Sequence, residues 1–324
     1  MRRKGDSGLI LLLAPILWGA TFPAVKIALR RLPVLTLTAW SRGLGFLTIL
    51  ALLPLMRRRD QGQHAPWRSV LGPGALLGAF MFVGYTLQTE GLARTTATNA
   101  GFITGLYIVF TPLMAALAFR QRTARSAWLA IALGFSGLAL LSITNLSAVR
   151  LHAGDLLVLA GAVVWAAHIT AVGRFSPRYP TWMLSLAQMG AAALFHLIAA
   201  VPAGLRLPVA LGARTWPLLL AIGVLGSGVG FTIQILAQQQ LSPGRAVILL
   251  AGESVVAAAA AALWIGERLV PHQWLGAALV IAAMAYSELS ARRPPLMLPA
   301  PGPAEGSGFR PAPGSSPRPG VPPA

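Results

Sequence analysis

Apolar residues along this chain run in blocks, not in the three-to-four spacing of a helix that keeps one face in water. Between Gly8 and Leu289 the blocks stand at 8–29, 34–55, 70–91, 97–119, 126–144, 154–174, 182–203, 216–238, 244–265 and 272–290. Each is roughly 18–22 residues long, enough to cross a hydrocarbon core as a helix. Lipid offers the backbone no hydrogen-bond partners, so ten such blocks predict ten transmembrane helices and an all-α integral membrane fold. The first block follows Met1-Arg2-Arg3-Lys4 and imitates a secretory signal. A cleaved signal would release a soluble body. Here more spans follow, so the block is read as the first helix.

The chain then repeats itself. A slide of 146 residues lays Tyr85-Thr86-Leu87-Gln88 on Phe231-Thr232-Ile233-Gln234, Arg122 on Arg268 and Trp128-Leu129 on Trp274-Leu275. A slide of 147 lays Trp18 and Thr21 on Trp165 and His168. Five spans fall in each half, 1–145 and 150–291. Five is odd, so the second half enters the membrane the other way up, which predicts an inverted repeat with a site between the halves.

Composition agrees with a membrane protein. The chain is 56% hydrophobic and 10% charged, where soluble domains carry about a quarter charged residues. The net charge of +18 raises nucleic acid as a partner. The arginines sit in short loops between spans rather than on one soluble face, so nucleic acid is rejected. Lys and Arg in alternate loops divide fifteen against seven, which predicts both termini on the cytoplasmic side of the cell (inner) membrane. From residue 292 to 324 the chain is rich in Pro, Gly and Ser and is expected to be a disordered cytoplasmic tail. Cysteine is absent, so thiolate chemistry and Cys-held metal are excluded.

A few polar residues inside the spans carry the candidate chemistry. Glu253 lies mid-span among Leu249, Leu250, Val255 and Val256, where a charge costs roughly 2.5–3.5 kcal/mol. A carboxyl there faces a wet cavity, pairs with a cation or carries a proton; the bland alternative is a carboxyl that ties helices together. Gln88 and Gln234 each share a helical face with an aromatic, Tyr85 and Phe231. Their amides suit gripping a polar solute or joining helices. Trp18 and Trp165 lie too deep for interface anchors and are read as cavity walls, with Thr21 and His168 one turn on. His168 is a titratable candidate, or simply a hydrogen-bonded member of the bundle. Lys26 is expected to snorkel to the outer face. Arg42 needs a partner, Glu253 or an anionic solute. Asn99 is expected to cap the fourth span. Gly223, Gly226, Gly228 and Gly230 predict close helix packing or a hinge.

Several stretches resemble a family. Trp18-Gly19-Ala20-Thr21-Phe22-Pro23-Ala24-Val25-Lys26, Gly154-Asp155-Leu156-Leu157, Thr111-Pro112-Leu113 and Gly266-Glu267-Arg268-Leu269 are similar, in this order, to signatures of EamA-type proteins in the drug/metabolite transporter superfamily. Gln121 and Ser254 depart from it, where a glutamate and a proline are common. The resemblance implies a ten-helix inverted-repeat carrier with a central cavity, moving amino acids, drugs or other metabolites, often outward.

The leading reading is therefore a secondary transporter, not an enzyme, that moves a small amino-acid-like or drug-like metabolite through the bilayer by alternating access, outward, with protons as a candidate coupling ion. Its expected site is Trp18, Thr21, Tyr85, Gln88, Trp165, His168, Gln234 and Glu253, with no cofactor and no metal. The histidines show no His-x-x-x-His spacing, and there is no Gly-x-Ser-x-Gly and no phosphate-binding loop. An uptake permease of the same fold is the alternative. From another class comes a membrane scaffold or scramblase, which needs no convergence of polar residues at the centre.

Overall fold

A computed structural model describes residues 4–60, 64–120, 125–142, 153–206 and 215–292. The Pro-rich tail, Gln121 and Arg122 lie outside them. In chain order the α-helices are α1 Lys4–Leu11, α2 Leu13–Ala28, α3 Val34–Arg59, α4 Trp67–Ala93, α5 Ala97–Gly105, α6 Tyr107–Phe119, α7 Arg125–Ser142, α8 Ala153–Phe175, α9 Thr181–Ala200, α10 Trp216–Leu220, α11 Phe231–Gln238, α12 Pro243–Leu250, α13 Gly252–Ile265 and α14 Pro271–Arg292. A π-helical stretch, Ala221–Gly230, joins α10 to α11. Among the described residues there is no strand, and eight helical segments are long and apolar enough to cross a membrane. Two further helices, α7 and α14, pack along each other.

The ends of these helices follow from local chemistry. Thr96 accepts a hydrogen bond from the Asn99 backbone N–H at 3.0 Å, so Thr96 and not Asn99 caps α5. Pro243 opens α12 behind the Ser242 cap, where a missing N–H costs nothing. Lys26 does not snorkel to solvent alone: its Nζ donates to the Leu92 and Thr95 carbonyls at 2.7 and 2.5 Å, where α4 ends. The carboxylate of Glu267 accepts from the Ala97 and Thr98 backbone N–H groups, both at 3.2 Å, and from the Thr98 hydroxyl. The glutamate of the Gly-Glu-Arg-Leu stretch thus caps a helix of the other half, where the helix dipole favours an anion.

Gly266 ends α13 at φ 72, in the left-handed region. At the position 146 residues earlier, Arg120 ends α6 at φ 53. Arginine there is strained by its Cβ. Arg120→Gly is expected to stabilise the protein by about 1 kcal/mol, read as a higher melting temperature in detergent. No change, or a loss, would mean that the arginine side chain offsets the strain.

Helix pairs recur when the halves are exchanged. The helix α2 packs on α13, while α8 packs on α5 and α6; α4 packs on α9, while α3 packs on the π-helical stretch. The fourth and ninth predicted spans are each interrupted by a tight turn, at Leu106 and at Ala251, one residue from repeat-equivalent positions. The two interrupted segments meet at these turns. A Cβ on Gly105 would lie 2.6 Å from Ser254 Oγ, and one on Gly101 2.8 Å from Ala257 Cβ, so both must be glycine for this approach. Ser254, which departs from the expected proline, donates its hydroxyl to the Gly101 carbonyl at 2.6 Å.

Candidate functional site

The interrupted segments, with α2, α4, α8 and α11, wall a small central cavity. Its lining includes all eight residues singled out in the sequence, Trp18, Thr21, Tyr85, Gln88, Trp165, His168, Gln234 and Glu253, together with Phe22, Thr104, Tyr107, Ile169 and Phe231.

The aromatic frame crosses between the halves reciprocally. Trp18 meets Phe231 with ring centroids 4.7 Å apart, and Trp165 meets Tyr85 at the same 4.7 Å, edge-on. Trp165 also stacks on Phe231 at 5.9 Å, and His168 meets both rings edge-on at 5.6 Å. Such contacts fix ring positions beyond simple burial.

The polar groups divide into engaged and free. Gln88 donates to the Thr104 hydroxyl at 2.8 Å, Thr21 to the Trp18 carbonyl at 2.7 Å, and Trp18 Nε1 to the Gly226 carbonyl at 2.8 Å. His168 Nε2 lies 3.3 Å from Gln188 Oε1, which favours the bonded-histidine reading over a free proton carrier. Both polar atoms of Gln234 and the indole N–H of Trp165 are buried and have no hydrogen-bond partner among the described residues, while the buried Tyr107 hydroxyl and Glu253 carboxyl lie within reach of each other. Buried polar atoms are nearly always satisfied, so this cluster points to a polar ligand or water in the cavity.

Tyr107 is the member that sequence reasoning missed. It stands 146 residues before Glu253, so the slide that revealed the repeat, applied to Glu253, would have found it. Each follows the turn in its own interrupted segment, where a half-helix begins.

Next to this cavity is a second, sharing Thr21, Phe22, Tyr85 and Gln88 with it and lined also by Arg42. Arg42 does not pair with Glu253. Its Nη2 donates to Ser227 Oγ at 2.6 Å, and its guanidinium lies 3.6 Å from the centre of the Tyr85 ring. Ser227 belongs to the π-helical stretch and donates to the Ile222 carbonyl five residues back, at 3.0 Å. The glycines of this region do allow close packing, since a Cβ on Gly223 would lie 2.6 Å from Leu44 Cβ and one on Gly228 2.6 Å from Thr48 Cβ; the stretch they occupy is also π-helical, a form frequent at functional sites. Among the described residues no group of three His, Asp or Glu could hold a metal ion.

Comparison with known proteins agrees with this architecture. A solved crystal structure shares the fold at a TM-score of 0.69 and 19% identity, over 89% of this chain and 98% of that one. An uncharacterized transporter of Archaeoglobus fulgidus is 29% identical over 283 residues, 87% of this chain and 85% of its own. The threonine/homoserine exporter RhtA of Salmonella typhimurium is 30% identical over 264 residues, 80% of this chain and 83% of its own. The EamA-like transporter family matches residues 7–143 and again 152–287. Matched twice over most of its length, this multi-pass membrane protein belongs to the EamA-like transporter family.

Proposed function

We propose that the protein exports a small amino-acid-like metabolite across the cell (inner) membrane, by alternating access of two inverted five-helix repeats, with both termini cytoplasmic. The cavity carries this reading: it gathers side chains from matching positions of both halves around unpartnered polar atoms. The recurrence of helix pairs under exchange of halves supports rocking of one repeat against the other. The helices α7 and α14 are the fifth and tenth spans in this scheme. A scaffold or scramblase gives no reason for polar groups to meet centrally. The outward direction rests on the exporter similar in sequence and separates this reading from uptake.

Glu253 supplies the coupling. A carboxyl in this setting either keeps its proton or finds a cation, because an uncompensated charge is costly. A proton and the ammonium of a solute therefore compete for it, which exchanges one for the other. Purified protein in liposomes, loaded with L-threonine as the probe, is expected to release it faster when a proton gradient runs opposite to the solute. Reporter fusions after Arg293 and within residues 57–63 are expected to read as cytoplasmic. Release insensitive to the protein removes the transport reading, and an external reporter at either place removes the inverted repeat.

A further inference from the structure

Arg42 is the largest fully buried side chain among the described residues, 1% exposed. A buried cation normally comes with an acid, because stripping water from a charge without a partner is among the costliest acts in folding. Among the acids whose side chains are described, most are occupied elsewhere. Glu90 pairs with Arg94, Glu288 grips Arg245 through two bonds, and Asp155 accepts from Thr95. Asp60 accepts from the Trp182 backbone, and Glu267 caps α5. Glu253 lines the adjoining chamber, and among the described residues no ion pair joins it to Arg42.

The guanidinium is nonetheless held firmly. Ser227 fixes Nη2 and the Tyr85 ring lies against its face, a cation–π arrangement. Nε and Nη1 keep N–H bonds with no acceptor among the described residues. Nearby Thr38 and Ser41 use their hydroxyl hydrogens on carbonyls of their own helix, at 3.0 and 2.7 Å. Arg42 is therefore what this chamber offers an anion. A planar, permanently charged fork is the side chain best matched to a carboxylate.

We infer that Arg42 docks the carboxylate of the transported solute, so that the two chambers together select a zwitterion, its carboxylate at Arg42 and its ammonium at Glu253. Tyr85 lines both chambers. The inference rests on the export reading and adds to it a docking residue and a substrate class. It excludes cations without a carboxylate and anions without an ammonium. Arg42 lies outside the duplicated set, since no basic residue stands 146 or 147 positions later, at Gln188 or Met189.

The test is counterflow of labelled L-threonine in proteoliposomes, with three unlabelled competitors: L-threonine, its methyl ester, and 3-hydroxybutyrate. The ester keeps the ammonium and masks the carboxylate; the hydroxy acid keeps the carboxylate and lacks the ammonium. For the unmodified protein, threonine should compete about tenfold to a hundredfold better than its ester, the range of a charge-assisted hydrogen bond. In Arg42→Gln that gap should close to about twofold, with Arg42→Lys in between. The unmodified protein and Arg42→Lys decide the matter even if Arg42→Gln does not fold. Equal competition by acid and ester overturns the carboxylate site while amino-acid transport stands. Competition by 3-hydroxybutyrate equal to threonine overturns selection of a zwitterion. Absence of counterflow for all the standard amino acids overturns the export reading and this inference with it.

Discussion

Glu253→Gln protein is expected to insert and fold normally yet lose threonine transport driven by a pH gradient, down to the rate of empty liposomes. Gln keeps the size and most of the hydrogen bonding of the carboxyl, so the contacts of a structural residue survive. What disappears is the ability to take up and release a proton in the middle of the protein. Glu253 is 3% exposed, and its carboxyl lies within reach of the Tyr107 hydroxyl. In the unmodified protein a charge here costs roughly 2.5–3.5 kcal/mol unless a proton or a cation meets it. That cost links the two ligands, and the amide removes it. Solute exchange without a proton gradient should persist within about tenfold, since the amide oxygen still accepts from an ammonium. Unchanged pH-driven transport in Glu253→Gln leaves the residue as a structural carboxyl and removes proton coupling at this site.

Gln234→Met should make the protein more stable and less active at once. Gln234 is completely buried, and both its amide oxygen and nitrogen lack partners among the described residues. An unsatisfied buried polar group costs about 1–3 kcal/mol, and an apolar side chain of similar length removes that cost. The expected gain is therefore about 1 kcal/mol or more in thermal or denaturant unfolding in detergent, with transport falling about tenfold as a solute contact is lost. If Gln234 were helix glue, the same substitution would destabilise the protein. Gln88 gives the internal contrast, because its amide already donates to Thr104. Gln88→Met breaks that bond, so it should lower stability as well as transport.

The fold was legible wherever the physics of lipid acts on one segment at a time. Apolar length located the helices, and the duplicated Trp, Gln and aromatic positions marked a central region, because a repeat displays its own important residues twice. Glu253 was conspicuous because its charge contradicts its neighbours. Tyr107 was hidden for the opposite reason: a phenol inside an apolar run reads as one more aromatic. Which helix faces which was not legible, since lipid-facing and protein-facing surfaces are both apolar; α4 against α9 is settled by small residues meeting, Gly74 with Ala187 and Gly78 with Ala191. The π-helical stretch looked only glycine-rich, because a five-residue hydrogen-bond step leaves no mark in composition. Two local readings were displaced by neighbours in space. The cap of α5 fell to Thr96, three residues ahead of Asn99, and Lys26 found the end of α4.

The halves share their aromatic walls but not their charges. Arg42 stands in the first and Glu253 in the second, with Gln188 or Met189 and Tyr107 at the matching places. A first half paired with a copy of itself would bring two arginines and no acid to these places, and a second half two acids and no arginine, so neither half alone regenerates the pair. Expressed as separate chains, the two halves should restore transport only together.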